Sequence, residues 1–422
     1  LSLVGSNQDA PTATAPHLPG TMTEVLRRRA GLGRALEQWM PHRRWYAGKG
    51  RTIRSLHVDD AFVLDDNVSL LIVSVAFTEG DDQRYSVPVM RLSREVAELS
   101  EHHDSVIAKL DDGALLIDAM SDQRGAATVV GTALRRRTRS GRHGDLRGMP
   151  RRSRLTRLAD DPRNVTLLGV EQSNSSVILD GGLIAKVVRR LEAGLNPDVE
   201  LPDHLLRSGF GAVPGVAANT VVDIPGESVP ADVVIVHDAI SHESDLWAKL
   251  LDDLGLAIDL NVASEKGAEV VGASLADLLG RRTAELHQAL ARPGGPAPME
   301  PEPFTLLWQR SVLQTLRNAV KSTHRDLQRA TRNGGLPTDV ADDAARLGED
   351  VDDIVARFDR LRTTKFDAKR IRIHGDLHLG QILWTGTYVV FIDFEGEPGA
   401  PMAQRTIKRS PLADVAGLVR SF

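Results

Sequence analysis

The chain of 422 residues contains no cysteine. That excludes disulfides, cysteine–zinc centres and a cysteine nucleophile, and it suits a reducing compartment, so a cytoplasmic location is expected. No stretch approaches the apolar length of a membrane-spanning helix. The first twenty residues lack an apolar h-region and are rich in Pro, Thr and Ala, so residues 1–20 read as a flexible leader and not a signal peptide. There is no large excess of one charge: the net charge is −5, which gives no reason to expect nucleic acid or a membrane as partner. Internal repeats are also missing. What remains is ordinary for a globular chain, with 41% apolar and 26% charged residues, and the length allows two or three lobes. The chain begins with Leu1 and stops at Phe422 inside what reads as a helix, so a fragment or trimmed product is expected.

Strand signals come first and helices afterwards. Val25, Leu26, Leu32, Leu36 and Trp39 share one helical face. The runs 69–77 and 84–90 read as strands joined by a turn at Gly80-Asp81-Asp82. Ten arginines against one acid, Asp145, fall in residues 135–157, which read as a solvated, mobile loop. Strands are expected again at 165–170, 176–179, 183–188 and 231–236, then helices at 246–254, 274–290, 305–330 and 340–362. Late strands at 370–373 and 388–392 flank the most informative segment. The expected class is α+β, and chemistry placed on loops between late strands is the layout of a two-lobed kinase.

Phosphoryl transfer needs a base or positioner for the attacking hydroxyl, ligands for a magnesium ion, and a cation on the phosphates. His374-Gly375-Asp376-Leu377 keeps the His, Asp and Leu of a kinase catalytic loop. Five residues after Asp376 comes Gln381, whose amide oxygen is a hard ligand, and Asp393-Phe394 supplies a second metal position. Asp376 is thus the candidate base, and Gln381 and Asp393 the candidate metal ligands. A lone His-Gly-Asp is weak evidence, because His143-Gly144-Asp145 repeats it. That copy has no expected strand before it, Pro150 in place of the amide, and no Asp-Phe downstream, so it reads as coincidence.

Lys186, in Leu183-Ile184-Ala185-Lys186, resembles the strand lysine that meets the phosphates. A strand lysine is more often a solvated edge charge; the polar loop before it and the acidic helix after it raise this one. Its expected partner is Glu200, on a helix opened by Pro197, with Glu192 as the competitor. There is no G-x-G-x-x-G loop. Glu171-Gln172-Ser173-Asn174-Ser175-Ser176 stands in its place, and Gln172, Ser173, Asn174, Ser175 and Ser176 are the candidate phosphate holders through N–H groups and hydroxyls. The order of elements makes the segment from His237 to Ile240 the expected hinge for adenine.

These pieces resemble the bacterial maltokinases, ATP-dependent enzymes with the aminoglycoside-phosphotransferase, protein-kinase-like fold. The resemblance is carried by Arg44-Trp45-Tyr46-Ala47-Gly48-Lys49, the serine-rich loop, Arg189-Arg190-Leu191-Glu192, the stretches 194–201 and 279–287, the catalytic segment, Asp393-Phe394-Glu395-Gly396-Glu397-Pro398, and 410–417. It implies a bilobal fold with an N-terminal cap: a leader to residue 20, a cap over 21–95, a kinase N-lobe over 96–236, and a mostly helical C-lobe over 237–422 that ends early. It also implies transfer of the ATP γ-phosphate to the anomeric hydroxyl of maltose by a monomer, with ATP and Mg²⁺ as cofactors, to feed α-glucan synthesis. Asp376 would be the base, Lys186 and Glu200 the phosphate-holding pair, and His378 and Glu395 the candidate acceptor contacts. Trp45 and Tyr46 are expected to pack the cap. Two alternatives stay open: a kinase of another sugar or an aminoglycoside, and a truncated non-catalytic nucleotide-binding domain, cut from a trehalose synthase–maltokinase fusion.

Overall fold

The computed structural model describes residues 15–422 apart from 94–102, 153–154, 156–157, 159–160, 169–173, 260–264, 333–336 and 398. It is of the α+β class. Two compact units share the chain: residues 1–282, 374–406 and 417–422 form the first, and 283–373 with 407–416 the second.

The first unit holds two seven-stranded sheets. In one, β1 (His17–Leu18), β2 (Ile53–Val63), β3 (Val68–Phe77), β4 (Gln83–Leu92), β5 (Val106–Leu110) and β6 (Leu115–Asp118) take the order β1-β5-β6-β4-β3-β2. The inner strand β3 is apolar almost throughout because both its faces are covered. Its residues alternate between two cores. Leu71, Val73, Val75 and Phe77 share a core with Met22, Val25 and Leu26 of helix α1 (Met22–Arg28) and Leu32, Leu36 and Trp39 of helix α2 (Ala30–Trp39). Leu70 and Ile72 point the other way, into a core shared with helix α3 (Gln123–Leu134) and the second sheet. Helix α1 opens with a capping box, in which the Thr21 amide donates to Glu24 Oε2 at 2.8 Å.

Two expectations change here. Residues 17–18 of the expected leader pair in parallel with Lys109–Leu110, so the described end of that segment is a strand, while residues 1–14 lie outside the described residues. The first sheet also continues past residue 95, through β5 and β6.

The second sheet comprises β7 (Thr138–Ser140), β8 (Asp145–Pro150), β9 (Val165–Leu167), β10 (Ser175–Leu179), β11 (Leu183–Val187), β13 (Val216–Val222) and β14 (Ala231–Asp238), in the order β7-β8-β13-β14-β11-β10-β9. The arginine-rich stretch read as a mobile loop supplies the β7–β8 hairpin. Three of its charges are met by acids distant in sequence: Arg147 pairs with Asp223, Arg151 with Asp203 and Arg152 with Asp238. Local charge counting cannot see partners brought in by other elements. Between β11 and the next helix, the short strand β12 (Arg190–Leu191) leaves this sheet and pairs with β4 of the first. Arg189, at the crossing, is fully buried and holds Asp118 of β6 at 2.8 Å.

Helix α4 (Pro197–Arg207) follows, capped by Asn196, whose Oδ1 accepts from the Asp198 amide at 2.9 Å. Later in the chain come helices at Leu246–Asp259, Glu265–Leu290 and Leu306–Arg332. The expected helix over 340–362 is three, Thr338–Glu349, Val351–Arg357 and Arg360–Thr363. Within the second unit, His287 meets Asp414 at 2.9 Å and Lys408 meets Glu302 at 2.7 Å. The expected strand 370–373 is reduced to Lys369–Arg370 and a bridge from Ile371 to Arg409. No helix among the described residues is long and apolar enough to cross a membrane.

Candidate active site

Strand β11 sends Leu183, Ala185 and Val187 into the core, so its alternation turns Lys186 to the opposite face. There Lys186 Nζ donates to Asp198 Oδ2 at 3.0 Å, Asp393 Oδ1 at 2.8 Å and Glu395 Oε1 at 2.8 Å. The carboxylate from helix α4 is therefore Asp198, which corrects the expected Glu200. Two residues along a helix rotate a side chain by about 200°, so Glu200 leaves the lysine side when Asp198 faces it. The competitor, Glu192, serves elsewhere: it pairs with Arg405 and accepts from the Met402 amide at 3.2 Å.

Burial alone would push the Lys186 ammonium down, but Asp198, Asp393 and Glu395 together hold it well above its ordinary value. Asp198 is likewise opposed by burial, yet Lys186, His237 and the Phe394 amide draw it down to about 2. That amide donates to Asp198 Oδ1 at 3.0 Å, which locks helix α4 to the turn after Asp393. Glu395 is the odd member. Burial, reinforced by the Asp393 and Asp198 charges, raises it above the usual carboxylate range despite Lys186.

The catalytic segment is folded around two small devices. Gly375 takes a φ of 89°, and the His374 ring packs on Phe394 with centroids 4.7 Å apart while its Nε2 meets the Ile392 carbonyl at 2.9 Å. The loop bearing Asp376 and the strand delivering Asp393 are thereby clasped. His378 Nδ1 accepts from the Gly380 amide at 3.1 Å and caps the short turn to Gln381. That local bond is what the structure shows for His378. Gln381 Nε2 then donates to Asp393 Oδ2 at 3.1 Å. Asp393 has a φ of 61°, a strained conformation for a residue with a side chain and one that clusters at functional sites. Strand Val389–Phe391 delivers it directly, as expected.

The serine-rich loop divides. Gln172 and Ser173 lie outside the described residues. Asn174 Nδ2 donates to both oxygens of Glu395, at 2.9 and 3.2 Å. Ser175 is turned inward, where its hydroxyl accepts from Arg189 Nε at 3.0 Å, so its side chain is structural and not a phosphate holder. Ser176 lies opposite Lys186 in the sheet. At the expected hinge, His237 is inside β14 and buried, with Nε2 on the Asp198 carbonyl at 2.9 Å, and the Ile240 carbonyl meets His242 Nδ1 at 2.7 Å.

A cavity of about 120 Å³ joins these parts, bordered by Asp376, Asp393, Arg190, Glu192, Arg405 and Trp45. Trp45 is nearly buried, with Arg189 Cζ 5.0 Å from its ring and the Tyr85 ring at 5.9 Å, so it packs the crossing between the sheets. Asp198, Asp393 and Glu395 bring oxygens within 4.8 Å of one another, a hard-donor set of the kind magnesium takes. Sequence reasoning missed Asp198, Arg190 and Arg405. The signal available for Asp198 was its place at the capped start of α4.

A strand lysine paired to a helix carboxylate, a His-x-Asp loop and a metal-type aspartate after the next strand define a kinase-like phosphotransferase. Residues 231–396 match the phosphotransferase enzyme family and residues 39–122 match the maltokinase N-terminal cap domain. Those two segments therefore resemble a phosphotransferase domain and a maltokinase-type cap domain. It is 28% identical over 305 residues to a glucosamine kinase of Mycolicibacterium smegmatis, spanning 71% of this chain and 67% of that protein. It is 26% identical to a glucosamine kinase of Streptacidiphilus jiangxiensis, over 60% of this chain and 52% of the relative. A glucosamine kinase structure in complex with glucosamine, ADP and inorganic phosphate superposes with a TM-score of 0.57 at 19% identity, covering 91% of this chain and 78% of that one. A second crystal form gives 0.60 at 18%, with 91% and 78% covered. These superpositions establish the shared fold.

Proposed function

We propose that the protein transfers the γ-phosphoryl group of ATP to the anomeric hydroxyl of maltose, giving maltose 1-phosphate, a donor for α-glucan synthesis. The observation that carries phosphoryl transfer is Asp393, held between Lys186 and Gln381 and facing the same cavity as Asp376. The match of residues 39–122 to the maltokinase cap favours maltose as the acceptor.

Asp376 accepts the proton of the attacking hydroxyl as the new O–P bond forms and the bond from phosphorus to the ADP oxygen breaks. An anomeric hydroxyl is more acidic than an ordinary alcohol, so a positioned carboxylate suffices as base. Lys186 steadies the phosphates, and Asp198 orients Lys186. Asp393 and Gln381 are the residues that would hold magnesium, with Glu395 close by; the ion when bound neutralises charge on the phosphates. Nucleotide entry requires Lys186 to exchange at least one of its three carboxylates for phosphate oxygen. Asn174, which already donates to Glu395, would keep hold of it when that happens.

A second reading, a glucosamine-type acceptor, rests on the similarity to two glucosamine kinases at 28% and 26% identity. Magnesium-dependent ATP consumption with maltose, glucosamine and an aminoglycoside separates the two. Maltose should support the fastest turnover; rapid turnover of glucosamine with none of maltose would reject the acceptor assignment.

A further inference from the structure

We propose that Arg190 is a catalytic residue that contacts the transferring γ-phosphoryl group as a cation supplied within the chain. The inference rests on the phosphoryl-transfer reading above but not on the identity of the acceptor.

Charge on the γ-phosphoryl oxygens has to be met where the group moves, between the hydroxyl at Asp376 and the nucleotide. Lys186 stands behind Asp393, bonded also to Asp198 and Glu395. Two further cations border the cavity that Asp376 and Asp393 share, and they are Arg190 and Arg405. Their states differ. Arg405 is committed: one Nη is paired with Glu192, the other donates to the Glu395 carbonyl at 3.3 Å, and its side chain is only 14% exposed. Arg190 is loosely held. Among the described residues its contacts, to Glu192 Oε1 at 3.4 Å and to the Gly399 carbonyl at 3.5 Å, sit at the outer limit of hydrogen bonding, and its side chain is 26% exposed.

The anchor beneath this loose head is firm. The Arg190 main chain is paired with Tyr85 across β12 and β4, beside the buried Arg189–Asp118 pair. Leu191 points into the core, so strand alternation sets Arg190 on the cavity side. A guanidinium on a fixed strand, with weak resting contacts and a planar fork suited to phosphate oxygens, can turn onto the phosphoryl group at small cost. Glu192 favours this exchange, because Arg405 already satisfies it when Arg190 leaves.

The test uses ADP, Mg²⁺ and aluminium fluoride, which together imitate the phosphoryl group in transfer, with no acceptor present. Affinity for ADP–Mg²⁺ is measured by calorimetry with and without aluminium fluoride, for the wild type, Arg190→Gln and Arg190→Lys. Aluminium fluoride should tighten ADP binding to the wild type at least tenfold. Arg190→Gln should bind ADP alone within twofold of wild type but lose that tightening, and its turnover should fall roughly 10²-fold or more. Arg190→Lys should recover part of both. Retained tightening in Arg190→Gln would overturn the proposal, and so would an equal loss of plain ADP affinity, which marks a structural role. If the wild type gains nothing from aluminium fluoride, the proposal and the phosphoryl-transfer reading fall together. Failure of maltose in the acceptor panel rejects only the acceptor and leaves this result standing.

Discussion

His374-Gly375-Asp376 and His143-Gly144-Asp145 spell the same three residues in two settings. In the first, glycine is required by a φ of 89°, and the histidine ring spans from Phe394 to the Ile392 carbonyl, so that Asp376 faces a cavity with Asp393. In the second, the triplet turns the β7–β8 hairpin. The Arg142 and His143 amides donate to the two oxygens of Asp60, each at 2.8 Å, and the Asp145 amide donates to Asp223 at 3.1 Å. Gly144 is there for room, since a Cβ would lie 2.6 Å from that of Asp223. One ground for dismissing this copy was mistaken: a strand, β7, does precede it. What separates the two is their company. Asp376 borders a cavity with Asp393, Glu395, Arg190 and Arg405; around Asp145 lie main-chain amides and the Arg147–Asp223 ion pair.

Removing that company should drive the first triplet toward the inertness expected of the second. A large effect is expected at Asp198. Asp198→Asn leaves Lys186 without its orienting charge and should lower turnover by about 10²-fold while raising the KM for ATP. Glu200→Gln, the exchange first favoured from the sequence, should change turnover less than twofold. Steady-state kinetics of the two variants decide which acid serves the lysine.

A smaller effect is expected at Glu395, and it concerns stability. Its folded-state pKa is raised, so the folded protein binds its proton more tightly than the unfolded chain does, and ionising it costs stability as pH rises through that raised value. Glu395→Gln removes the cost. The nucleotide-free variant should melt about 1–3 °C above wild type at pH 7. The gap should close below about pH 4, where the glutamate is protonated in both states. Thermal melts from pH 4 to 8 measure it, and a variant less stable than wild type at pH 7 would contradict the assignment. Asp198 has the opposite sign: its stabilisation is present above the ordinary aspartate pKa and is lost as pH falls toward its folded value of about 2. The smallest effect belongs to the second triplet, where Asp145→Asn should leave turnover unchanged.

The sequence was most legible where chemistry requires fixed spacing along one stretch of chain. The loop at 374–381 and the aspartate at 393 are joined by short local bonds, and Gln381 to Asp393 is one of them. It was least legible where two distant segments meet. Choosing Glu200 over Asp198 required knowing the rotation of α4 against β11, which is set by Asn196 capping and by the Phe394 amide 196 residues away. The stretch 135–157 read as a solvated loop because the partners of Arg147, Arg151 and Arg152, namely Asp223, Asp203 and Asp238, reach them from other elements. Ser175 looked like a phosphate holder because nothing local announces that Arg189, buried with Asp118, takes its hydroxyl.

The central claim is that Asp376, and not its double at 145, abstracts the acceptor proton. ATP turnover and ADP binding of Asp376→Asn test it most directly. We expect ADP to bind within about twofold of wild type and turnover to fall by roughly 10³-fold or more, a loss at the upper end of general-base effects. Near-normal turnover in Asp376→Asn would contradict the account.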